Sequence, residues 1–282
     1  MPAAWKIGRY DAYPVPAGRF RLDGGAMFGV VPKVLWSKVH PADDSNRIEL
    51  VSRCLLLAGE GRRVLVDTGI GQCWGEKERS IYAVADEPRL ENSLQALGCR
   101  PQEVTHVIHT HLHFDHVGGG VVDLGGGLSP LFPRAQYIVQ KGQLQWAQAP
   151  TERDRASYRP ETWECLARSG QLHLVEGEQE LLPGVFLHLV HGHTPFQQLV
   201  RIGEGSSSLL YCSDLVPFAS QVRVPWLMAY DLNALQTQEE KRTLLGRAAD
   251  EGWRLFLEHD PQVAACRVRR TAKGLEAEPQ VR

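Results

Sequence analysis

No run of residues in this chain is long and apolar enough to span a bilayer, so no membrane partner is expected. The opening stretch, MPAAWKIGRYDAYPVPAG, holds no apolar core of secretory length, and the expectation is a cytoplasmic protein. The six cysteines, at positions 54, 73, 99, 165, 212 and 266, are widely spaced and form no C-x-x-C pair. Reduced, buried thiols are therefore expected rather than a disulfide frame. There is neither a basic stripe nor an acidic tail, and the net charge of -2 leaves no nucleic-acid footprint. Arginine outnumbers lysine, but it is scattered. G-x-S-x-G is also missing, so no serine is presented on a nucleophile elbow. Neither linker, low-complexity segment nor periodic repeat marks a boundary. With 43% hydrophobic and 23% charged residues, the 282-residue chain reads as an ordinary globular protein long enough for two small domains or one large one, and a single domain, 1–282, is the expectation.

The pattern along the chain alternates strands and helices. Residues 5–24 read as two short strands broken by Pro14, Pro16 and Gly18. Residues 25–40, GAMFGVVPKVLWSKVH, are apolar without a clean period and read equally as a core-covering loop or as a lid walling a pocket. Residues 47–57 and 63–67 form a hairpin about Gly59, Glu60 and Gly61. A loop with Trp74 and Tyr82 as possible pocket walls spans 70–87, and a helix spans 88–98. Strands are expected at 104–109 and 135–140. A polar, helical stretch with Trp146 and Trp163 follows to about residue 169. Further strands fall at 171–175, 185–190, 199–203, 208–212 and 254–259, with an amphipathic helix over 234–250 capped by Asn233. The tail from 262 reads as a hairpin and a frayed polar end.

Against this background His109-Thr-His-Leu-His-Phe-Asp-His116 stands out. His111 and His113 are two apart, so at a strand end or in a tight loop they point the same way. Asp115 and His116 follow, and the chain turns through Gly118, Gly119 and Gly120. Imidazole and carboxylate suit zinc, manganese or iron, and the run has no cysteine to build a closed structural zinc site. His106 reads as a neutral core histidine, and His109 as core or a support for a neighbour. Cys212, two residues before Asp214, reads as a small apolar strand residue.

His111-x-His113-x-Asp115-His116 resembles the signature of the metallo-β-lactamase superfamily of metallohydrolases. Asp67-Thr68-Gly69, Gly192-His193-Thr194, Ser213-Asp214 and Glu258-His259-Asp260 resemble that family's remaining motifs, in order. Together they span roughly the middle 190 residues, a far more specific signal than any one motif. The resemblance implies an α/β fold: the four-layer αββα sandwich, two mixed β-sheets with helices on the outside. It implies two divalent metal ions per chain, zinc foremost, with manganese, iron or cobalt as alternatives. His111, His113 and His193 would hold one ion, Asp115, His116 and His259 the other, and Asp214 would bridge both. A carboxylate at the end of an apolar strand is costly unless paired, so Asp67 reads as the acceptor that orients a ligand histidine. His191, beside His193, reads as a neighbour of the site or simply exposed.

Two ions close together lower the pKa of a bridging water and give a hydroxide that attacks a carbonyl carbon or phosphorus. Asp214 and Asp115 are the catalytic candidates, Asp115 as the group that handles the proton. The stretch GGAMFGVVPK resembles the lactonase-like and methyl parathion hydrolase-like branch, and that resemblance implies that residues 25–40 are an N-terminal lid loop. It also implies a lactonase acting on small-molecule lactone or ester substrates, N-acyl homoserine lactones first, with quorum-signal degradation as the biology. The alternatives are an organophosphate or aryl ester hydrolase, a mono-iron oxidoreductase like the sulfur dioxygenases, and a non-catalytic metal-binding module. One departure from the family stands out: Pro217, followed by Phe218, occupies the place, three residues after the bridging aspartate, where smaller lactonases carry a tyrosine. Met27, Phe28, Trp36, Phe196 and Phe218 are candidates for an acyl or aryl pocket. Pairing of relatives through the N-terminal loop implies a homodimer.

Overall fold

The computed structural model describes residues 5–279. The chain divides into two compact units. The first runs through Phe20 and resumes over Ser52–Gly177; the second comprises Arg21–Val51 and the residues from Glu178 onward. In chain order the first elements are β1 (Trp5–Ile7), β2 (Tyr10–Asp23), α1 (Gly24–Phe28), α2 (Lys33–Trp36), β3 (Arg47–Gly59) and β4 (Arg62–Val66). Next come α3 (Glu76–Tyr82), α4 (Leu90–Ala96), β5 (His106–Ile108), α5 (Phe114–Val117), β6 (Val121–Asp123), β7 (Leu128–Pro130) and β8 (Gln136–Gln140). They are followed by α6 (Lys141–Gln148), α7 (Pro160–Arg168), β9 (Leu172–Val175), β10 (Gln179–Leu182), β11 (Val185–Val190) and β12 (Gln197–Ile202). The last are β13 (Leu209–Tyr211), α8 (Ala234–Glu251), β14 (Arg254–Phe256), β15 (Ala265–Thr271) and β16 (Gly274–Pro279).

In the first unit the sheet runs β1-β2-β3-β4-β5-β8-β9. Its β4, β5, β8 and β9 are parallel neighbours, whereas β3 and β4 pair antiparallel. Val64, Val66, Val107, Ile108 and Val139 are all buried, the continuous apolar pattern of strands covered on both faces. Leu90 and Leu94 of α4, and Cys165 and Leu166 of α7, pack with Leu65, Val107 and Tyr137 in one core cluster. Because Val66 is in register with Ile108, Asp67 and His109 leave the same end of adjacent strands side by side.

In the second unit the sheet runs β10-β11-β12-β13-β14-β15-β16. Here β13 and β14 are parallel, and the other pairs are antiparallel. Consequently β11, β13 and β14 point the same way, and the loops after them leave one sheet edge. Those loops carry His193, Asp214 and His259. Leu199, Leu210, Leu255 and Cys266 form the core with Leu245, Ala248 and Trp253 in and after α8.

Several elements differ from the sequence reading. Residues 5–24 do hold two strands, but they part at Gly8 and Arg9 rather than at Pro14–Gly18, and β2 runs unbroken for 14 residues. Pro14 and Pro16 are tolerated because β1 pairs only with Tyr10–Ala12, leaving that edge of β2 without a ladder to donate to among the described residues. Residues 76–82, expected as loop, form α3, which buries none of its residues and so shows no apolar face in the sequence. Residues 25–40 contain the short helices α1 and α2. The β6–β7 hairpin and β10 were not anticipated. The polar stretch to 169 is two helices, α6 and α7. Asn233 does cap α8, its side chain accepting from Gln236 N at 3.2 Å. The tail hairpin is β15–β16, while the frayed end at 280–282 lies outside the described residues. All six cysteines are free, five of them buried. Among the described residues no helix is long and apolar enough to cross a membrane.

Candidate metal centre

In the first unit Asp67 leaves β4 with a φ of 55°. Its buried carboxylate accepts from Thr110 N at 2.7 Å, from Thr110 Oγ1 at 2.7 Å and from His116 Nδ1 at 3.1 Å. Burial alone would raise the Asp67 pKa, but the hydrogen bond from His116, the electrostatic pull of that imidazole and the Thr110 N–H hold it below the usual carboxylate range. An ionised carboxylate only accepts, so His116 carries its proton on Nδ1 and keeps Nε2 as a ligand atom. The rings of His111 and His113 lie 4.4 Å apart, and those of His111 and His116 4.0 Å apart. Asp115 Oδ1 is 3.9 Å from His116 Nε2. All four residues are buried.

The glycines after the run are required by close approach. A Cβ on Gly118 would lie 2.2 Å from Ile70 O, and one on Gly119 2.1 Å from Thr68 O. This contact, with Thr68 N and Oγ1 both bonding His116 O at 2.8 and 3.0 Å, locks the Asp67 loop onto the histidine loop. His109 is buried against the Tyr137 ring at 5.7 Å, and burial pushes its pKa down to about 4. It is thus a neutral core imidazole, 4.0 Å from Asp67.

In the second unit Asp214 stands between two imidazoles. His193 Nε2 is 3.1 Å from Oδ2, and His259 Nε2 is 3.3 Å from Oδ1. The opposite nitrogens are also engaged: His259 Nδ1 donates to Val51 O at 2.9 Å, and His193 Nδ1 lies 3.1 Å from Asp231 Oδ1. Burial lowers the His193 pKa, but the Asp214 and Asp231 carboxylates overcome it and raise it to about 9, so the local field favours a cation. His191 is not buried; its Nδ1 accepts from Phe196 N at 3.0 Å and closes the turn. Asp231 escaped the sequence reading because it lies in an aperiodic stretch with no motif around it.

The five pocket candidates all belong to the second unit. Met27, Phe28, Trp36 and Phe218 are buried, and Phe28 stacks on Trp36 at 5.5 Å and on Phe218 at 5.9 Å. Phe28, Trp36 and Phe218 form a packed aromatic cluster rather than an open wall; of the five only Phe196 is exposed. The first unit has a cavity of about 410 Å³ beside His113, lined by Trp74, Tyr82, Phe114, Tyr158, Arg159 and Glu78 among others. Tyr158 bridges to His113 and packs its ring 4.9 Å away, and Arg159 lies 4.4 Å over the Trp74 ring. Tyr158 and Arg159 carried no sequence signal.

Each unit thus holds buried imidazoles and carboxylates, with the far nitrogens of His116, His193 and His259 already fixed. Nitrogen and oxygen donors without thiolate fit a divalent metal of the zinc, manganese, iron or cobalt type.

Residues 47–122 match the model of the metallo-beta-lactamase superfamily. The chain is 30% identical over 215 residues to N-acyl homoserine lactonase AiiA of Bacillus thuringiensis subsp. kurstaki, covering 72% of this chain and 74% of that one. Its fold is similar to that of a probable metal-dependent hydrolase from Staphylococcus aureus, with a TM-score of 0.89 and 26% identity over 98% of this chain and 99% of the other. It is also similar to an N-acyl homoserine lactone hydrolase with the product N-hexanoyl-L-homoserine at its catalytic metal centre. There the TM-score is 0.69 at 25% identity, over 91% of this chain and 95% of the other.

Proposed function

The chain belongs to the metallo-beta-lactamase superfamily and is a metal-dependent hydrolase, and on that premise we propose that it opens lactone esters, N-acyl homoserine lactones foremost. The observation that carries this is Asp214, whose two oxygens each meet the Nε2 of a different histidine. A carboxylate so placed is suited to bridge two cations. By the family pattern, His111, His113 and His193 would hold one divalent ion and Asp115, His116 and His259 the other, zinc being the first choice. The similarity to N-acyl homoserine lactonases over most of the chain supports the substrate class. We read residues 1–282 as one hydrolase domain, with 25–40 as its lid.

When bound, the ions supply Lewis acidity and lower the pKa of water. The chain supplies the rest. Asp67, Asp231 and the Val51 carbonyl hold the histidine tautomers that leave Nε2 available. Asp115 is the group we assign to the proton: it would receive it from the attacking water and return it to the ring oxygen as the ester bond breaks. The cavity beside His113 would take the substituent on the lactone ring, with Trp74, Tyr82 and Phe114 as apolar walls. Those aromatic walls also favour a second reading, hydrolysis of aryl or phosphotriesters. Biologically, lactone opening would quench a quorum signal.

The exposed apolar residues Val30, Val34, Leu35 and Val39 support a homodimer formed through the lid segment. The direct test of the substrate class is a panel of long- and short-chain N-acyl homoserine lactones, a simple γ-lactone, an aryl ester and a phosphotriester. The acyl lactones should give the highest kcat/KM. Turnover of the phosphotriester or aryl ester alone would transfer the assignment to the second reading.

A further inference from the structure

Lys241 is a buried lysine in the middle of α8. Its Nζ donates to Arg223 O at 3.1 Å and to Trp226 O at 2.7 Å. Burying an amine is costly, and an apolar side chain here would avoid that cost. It would, however, leave two carbonyls without this donor. Both bonds go to one short segment, which turns tightly through Trp226 N to Arg223 O at 3.0 Å. The same segment then closes on Asp231: Met228 N donates to Asp231 Oδ2 at 3.1 Å, and Asp231 N to Met228 O at 3.3 Å. Asp231 Oδ1 faces His193 Nδ1. Beyond it, Leu232 N bonds His193 O and Asn233 N bonds Gly192 O.

The preceding residue on α8 acts on the other side of the same loop. Glu240 accepts from His191 N at 2.7 Å and from Gly192 N at 3.1 Å. Gly192 lies so close to the helix that a Cβ would come within 2.3 Å of Thr237 N. The first two turns of α8 therefore hold the strand-end loop that carries His193, and Lys241 holds the segment that carries its carboxylate partner.

We propose that Lys241 is a positioning residue that pins residues 223–231 so that Asp231 meets Nδ1 of His193 and fixes the tautomer and aim of that ligand. This rests on the reading of His193 as a metal ligand. It goes beyond that reading by placing part of the metal affinity in a side chain that touches no ligand.

The test is Zn²⁺ affinity of the full chain, measured by competition with a chromophoric chelator, with Co²⁺ absorption as a second readout. Compared are the wild type, Lys241→Met, Lys241→Gln, Asp231→Asn and the Lys241→Met/Asp231→Asn double variant. Loss of a supporting partner costs about 10–100-fold in metal affinity, and that loss is expected for each single variant. The double variant should bind no more weakly than Asp231→Asn alone, because both act through one contact. Lys241→Gln, too short to reach both carbonyls, should lose affinity even if Lys241→Met does not fold. Wild-type affinity in folded Lys241→Met or Lys241→Gln, whatever the change in Tm, would overturn the proposal, as would losses that multiply in the double variant. A wild type that binds no Zn²⁺ would instead overturn the ligand assignment of His193 itself.

Discussion

The carboxylate of Asp67 accepts a hydrogen bond from Nδ1 of His116 at 3.1 Å, although Asp67 follows β4 and His116 lies in α5, beyond the end of β5. The parallel register of Val66 with Ile108 makes this possible, and the glycine contact between the two loops keeps it. One buried carboxylate thereby sets the tautomer of a ligand candidate and satisfies the backbone of the loop that carries it.

Asp67→Asn is expected to weaken metal binding by about 10–100-fold. An amide cannot accept from Thr110 N, Thr110 Oγ1 and His116 Nδ1 together, so a loss of about 1–3 kcal/mol of stability should accompany it. Isothermal titration with Zn²⁺ and urea unfolding measure the two effects. Unchanged affinity would remove Asp67 from the support of His116.

Trp74→Ala should raise KM for a long-chain acyl lactone or an aryl ester by about 10-fold, the scale of losing a modest apolar contact. The variant also removes the ring under Arg159. Metal content and kcat for a short lactone should hold. Equal losses on short and long substrates would mean that the cavity beside His113 does not take the substituent.

Lys241 gives the stability a pH dependence of known sign. Burial lowers its pKa from 10.5 to about 7, partly offset by the negative charge of Asp231. Between those values the unfolded chain binds the proton and the folded chain does not, so stability rises with pH across that window. At about 1.4 kcal/mol per unit, this group contributes on the order of a few kcal/mol of rise. Urea midpoints at pH 7 and pH 9 should diverge for the wild type and much less for Lys241→Met. Equal rises would exclude a depressed lysine.

Val30 is 93% exposed and Val34 70% exposed in the segment proposed as the lid. If they form the dimer contact, Val30→Asp should shift the protein to monomer in sedimentation equilibrium at micromolar concentration, with metal content unaltered. A wild type that is already monomeric would end that reading.

The sequence revealed much of this because the informative contacts are local. Four of the seven ligand candidates fall within six residues, and the others sit just past apolar strands whose ends were readable. The break between β1 and β2 falls at Gly8 and Arg9 rather than at the prolines, because Pro14 and Pro16 break a strand only where a neighbour needs their N–H, and no sequence pattern shows which edge is open. α3 was missed because it buries nothing and so leaves no period. Asp231 and Lys241 were invisible for a different reason: their roles depend on a segment without regular structure folding back on α8, and neither spacing nor composition encodes that return. The buried cluster around Phe28 illustrates the converse, since apolar residues in an irregular loop look the same whether they wall a pocket or fill a core.

The central claim is a two-ion centre bridged by Asp214, and the most direct test is elemental analysis of the purified wild type and of Asp214→Ala, with lactone hydrolysis measured on the same samples. The account predicts about two divalent ions per wild-type chain, and in Asp214→Ala a marked loss of metal together with a fall in kcat/KM beyond about 100-fold, more than a supporting residue would cost. Two ions and near-full turnover retained by Asp214→Ala would contradict it.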